Sequence, residues 1–156
     1  MSTPGQPESG PTKTDDLVEI QQLLGRYAVT ITQQDIDGLV AVFTPDGTYS
    51  AFGETYSLSR FPELVAAAPK GLFLTGTAVV DLDGDAASGT QPLCFIDHSS
   101  HDMRIGYYRD TYVRTADGWR LKTRAMTFIR RSGVHDSGRP HAIGRPAGDS
   151  ASQATT

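Results

Sequence analysis

The chain predicts an α+β domain, with helices packed on one face of a strongly curved antiparallel sheet. Two observations carry this. Leu17, Ile20, Leu24, Tyr27 and Ile31 recur at intervals of 3, 4, 3 and 4, which is one face of an α-helix. From residue 72 to residue 131 the sequence becomes β-prone and is cut by Asp83-Gly84-Asp85 and Ala116-Asp117-Gly118, both hairpin-turn compositions. A bent sheet closed on one side by helices leaves a blind hole between the layers, where function is expected.

The elements follow in order. Thr14-Asp15-Asp16 starts the first helix with a capping residue and two acids near the positive end of its dipole. Val18 and Leu23 broaden its apolar face. Asp35 caps a second helix with Ile36, Leu39, Val40 and Phe43 on one side, ended by the turn Pro45-Asp46-Gly47. Thr48 to Phe52 reads as a short strand. Ser57 or Ser59 caps a third helix through Phe61, Leu64 and Val65, closed by Pro69 and Gly71. Leu72 to Leu82 and Ala86 to Asp97 are strands, the second bulged near Gly89 to Pro92. His98 to Asp102 is a polar connection, and Arg104 to Arg114 and Trp119 to Arg130 complete a meander.

Composition narrows the function classes. With 156 residues the chain is one domain in size, and 38% apolar with 21% charged residues is the balance of a folded protein. A net charge of -4 with no Lys/Arg run argues against nucleic acid. No apolar run nears the ~20 residues needed to cross a bilayer, and residues 1–13 lack the apolar core of a signal peptide, so the cytoplasm is the expected location. Residues 1–13 and 132–156 are rich in Ser, Thr, Pro and Gly and are expected to be unstructured, which leaves 14–131 as the domain. Cys94 lies in the apolar run Pro92 to Ile96 and reads as a buried, inert thiol. No cofactor signature is present: the Asp-Gly-Asp turn is not flanked as a phosphate loop would be.

The stretches "GRYAVTITQQDIDGLVAVFTPDGTY", "VVDLDGDAA" and "GYYRDTYVRTADGWRLKTR" resemble the opening, the central hairpin and the last hairpin of the SnoaL-like branch of the nuclear-transport-factor-2-like superfamily. That branch includes ketosteroid isomerases, scytalone dehydratase and polyketide cyclases. The resemblance covers residues 14–131 and implies a cone-shaped sheet, a homodimer and a pocket for a small apolar molecule. It also implies acid/base chemistry on a carbonyl or enol: isomerisation, cyclisation or dehydration. By the same resemblance Tyr27 and Asp110 fall where isomerases pair a tyrosine with a protonated aspartic acid as an oxyanion hole. The isomerase base falls on Ala51. The dehydratase aspartate falls on Thr32, and its histidine in Leu72-Phe73-Leu74. A non-catalytic ligand-binding or assembly module on the same fold is therefore the rival expectation.

Read as residues, Tyr27 sits on the core face of the first helix and needs a partner for its hydroxyl. Asp110 shares alternation with Tyr108 and Tyr112. It faces the pocket as a neutral donor if unpaired, or forms a structural bridge if Arg109, Arg114 or Arg124 reaches it. His98, with His101 in an Asp-His-Ser-Ser-His-Asp loop, is the candidate acid/base group, and a solvated turn is the alternative. No metal site is expected. Tyr49, Phe52, Phe73, Tyr108 and Trp119 are candidate apolar walls, and Arg124 a candidate contact for a ligand oxygen.

Overall fold

The computed structural model describes Gly5 and residues 10–131; the expected unstructured ends fall almost wholly outside them. Helix α1 (Lys13–Gln33) starts from Thr12, two residues earlier than Thr14 would give. Thr12 Oγ1 accepts from Asp15 N at 3.1 Å while Asp15 Oδ2 accepts from Thr12 N at 2.9 Å, a reciprocal capping box. The helix buries Ile20, Leu23, Leu24, Tyr27 and Ile31, whereas Val18 faces solvent. It stops at Gln34, whose left-handed backbone (φ 59°) turns its N–H back to Thr30 and Ile31.

Asp35 caps the one-turn α2 (Ile36–Val40) by accepting from Gly38 N at 3.0 Å. Phe43 does not belong to that helix. It opens β1 (Phe43–Ala51), which runs on through Pro45-Asp46-Gly47, the predicted turn. The two-residue turn Phe52-Gly53, both with positive φ, leads into β2 (Glu54–Ser57), a strand the sequence did not announce. After α3 (Phe61–Ala67), the expected strand from Leu72 to Leu82 is broken into β3 (Gly71–Thr75) and β4 (Val79–Asp83). Both pair with β5 (Ala86–Asp97), one with each half of it. Strands β6 (Met103–Thr115) and β7 (Gly118–Arg131) complete the sheet.

The sheet order is β2-β1-β7-β6-β5-β3, with β4 also on β5. The expected cone-shaped, strongly curved antiparallel sheet is corrected here. The sheet is mixed, because β1 runs parallel to β7 (Tyr49 opposite Arg124, Ser50 opposite Ala125), and it is open, with edges at β2 and β3. What stands is the α+β class with N-terminal helices. The bulge expected near Gly89 to Pro92 is also absent, since β5 pairs with β6 in unbroken register from Ala86 to Ile96. Against β6 the irregularities lie in β7, where Lys122 and Ile129 are the extra residues, and β1 shifts register against β7 between Phe43 and Thr48, across the predicted turn.

The bulge at Lys122 decides which side chains face the helices. Trp119 and Leu121 are buried before it, Arg124 and Met126 after it, so the inward set changes parity. On β6 the even residues Gly106, Tyr108, Asp110 and Tyr112 are buried throughout. Gly89, directly opposite Asp110, has no room for a side chain: a Cβ there would lie 3.1 Å from the Tyr112 hydroxyl and 2.8 Å from the Val79 carbonyl.

At the far end of the sheet from β3, Asp16 is buried on α1 although nothing apolar marks it. Its carboxylate accepts from Arg114 Nη1 and Nη2 at 2.6 and 2.8 Å and from Trp119 Nε1 at 3.0 Å. Those bonds, Arg114's first and then Trp119's, hold the Asp16 carboxyl below its ordinary pKa. On the outer face, Leu72, Ile96 and Met103 align in one row and Leu74, Cys94 and Ile105 in the next. Leu72, Leu74 and Met103 are about half exposed, and Cys94 is half-buried there, not enclosed as expected. Among the described residues no helix is long and apolar enough to cross a membrane.

Candidate functional site

A partly open cavity lies between the helices and the inner face of the sheet, with a volume of about 70 Å³. One water needs only ~10–15 Å³ on the same measure, so the space admits a small organic guest. Its walls come from nearly every element. Helix α1 contributes Tyr27 and Ile31, the β1–β2 hairpin Tyr49, Ala51, Phe52 and Tyr56, and α3 Phe61, Leu64 and Val65. The sheet adds Phe73, Leu93, Phe95, Arg104, Tyr108, Met126 and Phe128. The rings brace one another: Tyr49 packs on Phe61 at 5.1 Å between centroids, Phe52 stacks on Phe128 at 5.0 Å and Phe73 meets Phe95 at 4.8 Å.

One row deeper, behind Tyr27 and Tyr108, a guanidinium is fully enclosed. Arg124 Nε donates to Asp110 Oδ1 at 2.8 Å, and its Nη2 donates to Asp110 Oδ2 at 2.9 Å and to Gln91 Oε1 at 2.8 Å. Neither side chain of the ion pair has any solvent exposure. The guanidinium carbon sits 3.7 Å from the Tyr108 ring centre and 4.3 Å from that of Tyr27, so two aromatic faces take the place of its hydration shell. Burial works against the Arg124 charge, but Asp110 outweighs it and the pKa rises above the ordinary arginine value. Tyr112 Oη donates to Asp110 Oδ2 at 2.7 Å. Among the described residues two buried polar atoms of this cluster lack a hydrogen-bond partner: Tyr27 Oη and Arg124 Nη1.

Three of the wall tyrosines, Tyr27, Tyr49 and Tyr108, are held in their neutral form. Burial raises the pKa of Tyr27, with the charge of Arg124 pulling the other way. Burial also raises Tyr49 and Tyr108, and the neighbouring tyrosines add to it in both.

The structure gathers Tyr27, Tyr49, Phe52, Phe73 and Tyr108 around one chamber and puts the other candidates elsewhere. Asp110 is not on the wall. Its oxygens accept from Arg124 and Tyr112, which is the bridge the sequence offered as the alternative to a pocket-facing donor beside Tyr27. Arg124 lies behind the tyrosines and is likewise off the lining. Trp119 is fully buried, bonded to Asp16 on α1, and is not among the residues that line this chamber. His98 is exposed in the turn after β5, its N–H donating to the Lys70 carbonyl at 3.0 Å. That turn is built on Asp97, whose Oδ1 accepts from Ser99 N and Ser100 N. Among the described residues no cluster of three or more His, Cys, Asp and Glu could hold a metal ion.

The positions where relatives carry acid/base groups are put to other use. Ala51 and Phe73 are lining residues, and Thr32 Oγ1 accepts from Phe73 N at 3.1 Å, tying α1 to β3. Sequence reasoning missed Arg104, Tyr56, Met126 and Phe128. For Arg104 a signal existed: it shares even-numbered alternation with Tyr108 and Asp110. For Met126 and Phe128 none did, because the Lys122 bulge sets their parity.

Comparison with known proteins places this geometry. The chain is 35% identical over 126 residues to Rv2910c, an uncharacterized protein of Mycobacterium tuberculosis, covering 72% of this chain and 84% of that one. Among solved structures it is similar to a variant of Rv3472, a protein of unknown function from the same organism. The TM-score is 0.72 at 24% identity, covering 84% of this chain and 90% of that one. A type 2 hexachlorocyclohexane dehydrochlorinase (LinA) gives a TM-score of 0.64 at 12% identity over 74% of this chain and 86% of that one. At such identities these two structural likenesses speak for the fold alone. A family profile described as a SnoaL-like domain matches residues 12–125, and the chain belongs to that family.

Proposed function

We propose that this chain binds a small, largely apolar molecule whose single oxygen acceptor is met by Tyr27. Fold and family are consistent with small-molecule enzymes, but the chamber itself is built first for holding. The supporting observation is the make-up of its wall: mostly aromatic and aliphatic side chains, with Gln34 and Arg104 the polar exceptions beside the tyrosine hydroxyls and no Asp, Glu or His among the lining residues. Within that wall the buried Tyr27 hydroxyl makes no hydrogen bond of full geometry, with Tyr108 and Arg124 beside it, and a guest oxygen is the acceptor proposed for it.

A matched pair of probes, naphthalene and 2-acetylnaphthalene, tests this by fluorescence titration. The ketone binds more tightly to the wild type. Tyr27→Phe weakens the ketone by about three- to tenfold, the worth of one neutral hydrogen bond, and leaves the hydrocarbon unchanged. Absence of saturable binding by either probe removes the proposal.

A second reading, catalysis on a carbonyl or enol, is favoured by one observation. The Arg124 charge lies 4.3 Å from the centre of the Tyr27 ring and makes its hydroxyl a better donor to a developing oxyanion. The dehydrochlorinase likeness supplies a precedent for elimination chemistry on this fold. With no base on the wall, the proton must leave through the substrate's own group or water. Deuterium exchange at the methyl protons of bound 2-acetylnaphthalene, lost in Tyr27→Phe, separates this reading from simple binding.

We also propose a homodimer held through the outer-face rows of Leu72, Leu74, Met103 and Ile105. Sedimentation equilibrium is expected to show a dimer that Leu74→Lys dissociates, and a wild-type monomer at micromolar concentration rules it out.

A further inference from the structure

We infer that the β1–β2 turn is the gate of the chamber, with the ring of Phe52 as its moving leaf. The inference rests on the binding role proposed for the chamber and adds how a guest gains entry.

The turn is tight, and its first residue is out of character. Phe52 and Gly53 both take positive φ, 56° and 78°, the conformations that a two-residue hairpin turn of this kind needs. Glycine adopts them freely and asparagine tolerates them, but a phenylalanine is strained there by its Cβ. Such strain persists only where the surroundings hold it, and here the ring is held. It stacks on Phe128 of β7 with centroids 5.0 Å apart. Both rings are half-buried and both line the chamber, so they stand where its wall meets solvent.

The base of the hairpin is fixed while its tip overhangs. Ala51 and Tyr56, one on each strand, are buried lining residues, and Ser50 Oγ lies 2.9 Å from Thr55 Oγ1 across the pair. The last backbone pairing of β1 with β7 is Ser50 opposite Ala125, and β2 is the edge of the sheet. Phe52 and Gly53 thus lie past the end of the parallel seam. A Cβ built on Gly53 would meet nothing within 4 Å, so the tip has room to swing into. Strain and stack oppose each other across that one motion. Lifting the ring off Phe128 opens the mouth and lets the left-handed residue relax, whereas closing restores the stack at the expense of the backbone.

Stopped-flow fluorescence with 2-acetylnaphthalene measures the association and dissociation rates separately. Phe52→Asn removes the leaf and supplies a residue suited to the turn, so it is expected to fold with a Tm near that of wild type. Both rate constants rise by roughly three- to tenfold, as the loss of one aromatic pair from the closed form gives, and Kd moves less than either. Phe128→Leu removes the other half of the latch and speeds both in the same way. The double variant is no faster than the faster single one, because the two changes release one contact. A rise in dissociation alone is what losing an ordinary wall contact gives, and it overturns the gate. So do unchanged rates in Phe52→Asn, or a double variant whose acceleration is the product of the single ones. In each of those cases the ketone still binds and the chamber's binding role stands. Absence of saturable binding to wild type removes that role and the gate with it.

Discussion

Replacing Asp110 by alanine is expected to destabilise the protein by about 3–5 kcal/mol, because it strands a guanidinium that has no solvent exposure. For a domain of this size that is a fall in Tm of roughly 10–20 °C, readable by thermal denaturation. The loss does not measure the strength of the bridge. Arg124 would keep one bond to Gln91 and two ring faces, and would lose the carboxylate that matches its charge. Removing both charges tests that account: Asp110→Leu with Arg124→Met should recover most of the loss, since a well-packed apolar pair often replaces a buried ion pair at little cost. A single Asp110→Ala variant within 1 kcal/mol of wild type, or a double variant worse than either single one, would contradict it. The same pair also shows how far alternation carries. Alternation put Asp110 on the inner face correctly. It could not put Arg124 there, because the residue that turns Arg124 inward is the extra Lys122 of β7, and a bulge leaves no mark in a two-residue period.

Trp119→Ala is expected to lose a further stability of about 3–5 kcal/mol, the usual range for emptying a fully enclosed aromatic site. Trp119 is 0% exposed, donates through Nε1 to Asp16, receives Arg114 over its ring face at 4.8 Å and anchors its own N–H on Glu19 Oε1 at 3.1 Å. Trp119→Phe, which keeps most of the volume and drops the indole donor, should cost clearly less. Neither change should alter probe affinity at a temperature where the variant is folded, because Trp119 touches no part of the chamber; a tenfold loss of ketone binding in Trp119→Phe would show that assignment to be wrong. The acid limb adds a second readout. The native Asp16 carboxyl titrates below its ordinary value of 3.8, so its contribution is complete above that pH. The contribution is lost as pH falls through the lowered native value. Asp16→Asn should therefore flatten the decline of stability below pH 4 and leave its shape above pH 5 unchanged.

These two sites show what the sequence exposes and what it hides. Helix α1, the third helix and the long strands of the second half were legible because their apolar periods are set by burial on one side. The parallel seam between β1 and β7 was not, since nothing local in Thr48 to Phe52 tells which distant strand it will meet. Strand β2 was hidden for another reason. Its turn places Phe52, a bulky residue, at φ 56°, a conformation that composition assigns to Gly, Asn or Asp. The chamber was legible as an aromatic cluster around Tyr27, Tyr49, Phe73 and Tyr108. Asp16 was legible as an acid in the first turn of α1, but its burial was invisible until its partners some 100 positions away were in place.

The parallel seam has a kinetic meaning. In the sheet β1 has β2 on one side and β7 on the other, and β7 is the last strand among the described residues. Until residues 121–125 are made and docked, the hairpin bearing Tyr49, Ala51, Phe52 and Tyr56 is a two-stranded ribbon of the kind that is marginal in water. Joining it to β7 closes a loop of more than seventy residues, so the wall that meets the guest is assembled late, whatever forms first elsewhere. A nascent chain halted before β7 would carry most of the domain's apolar surface and no receptacle.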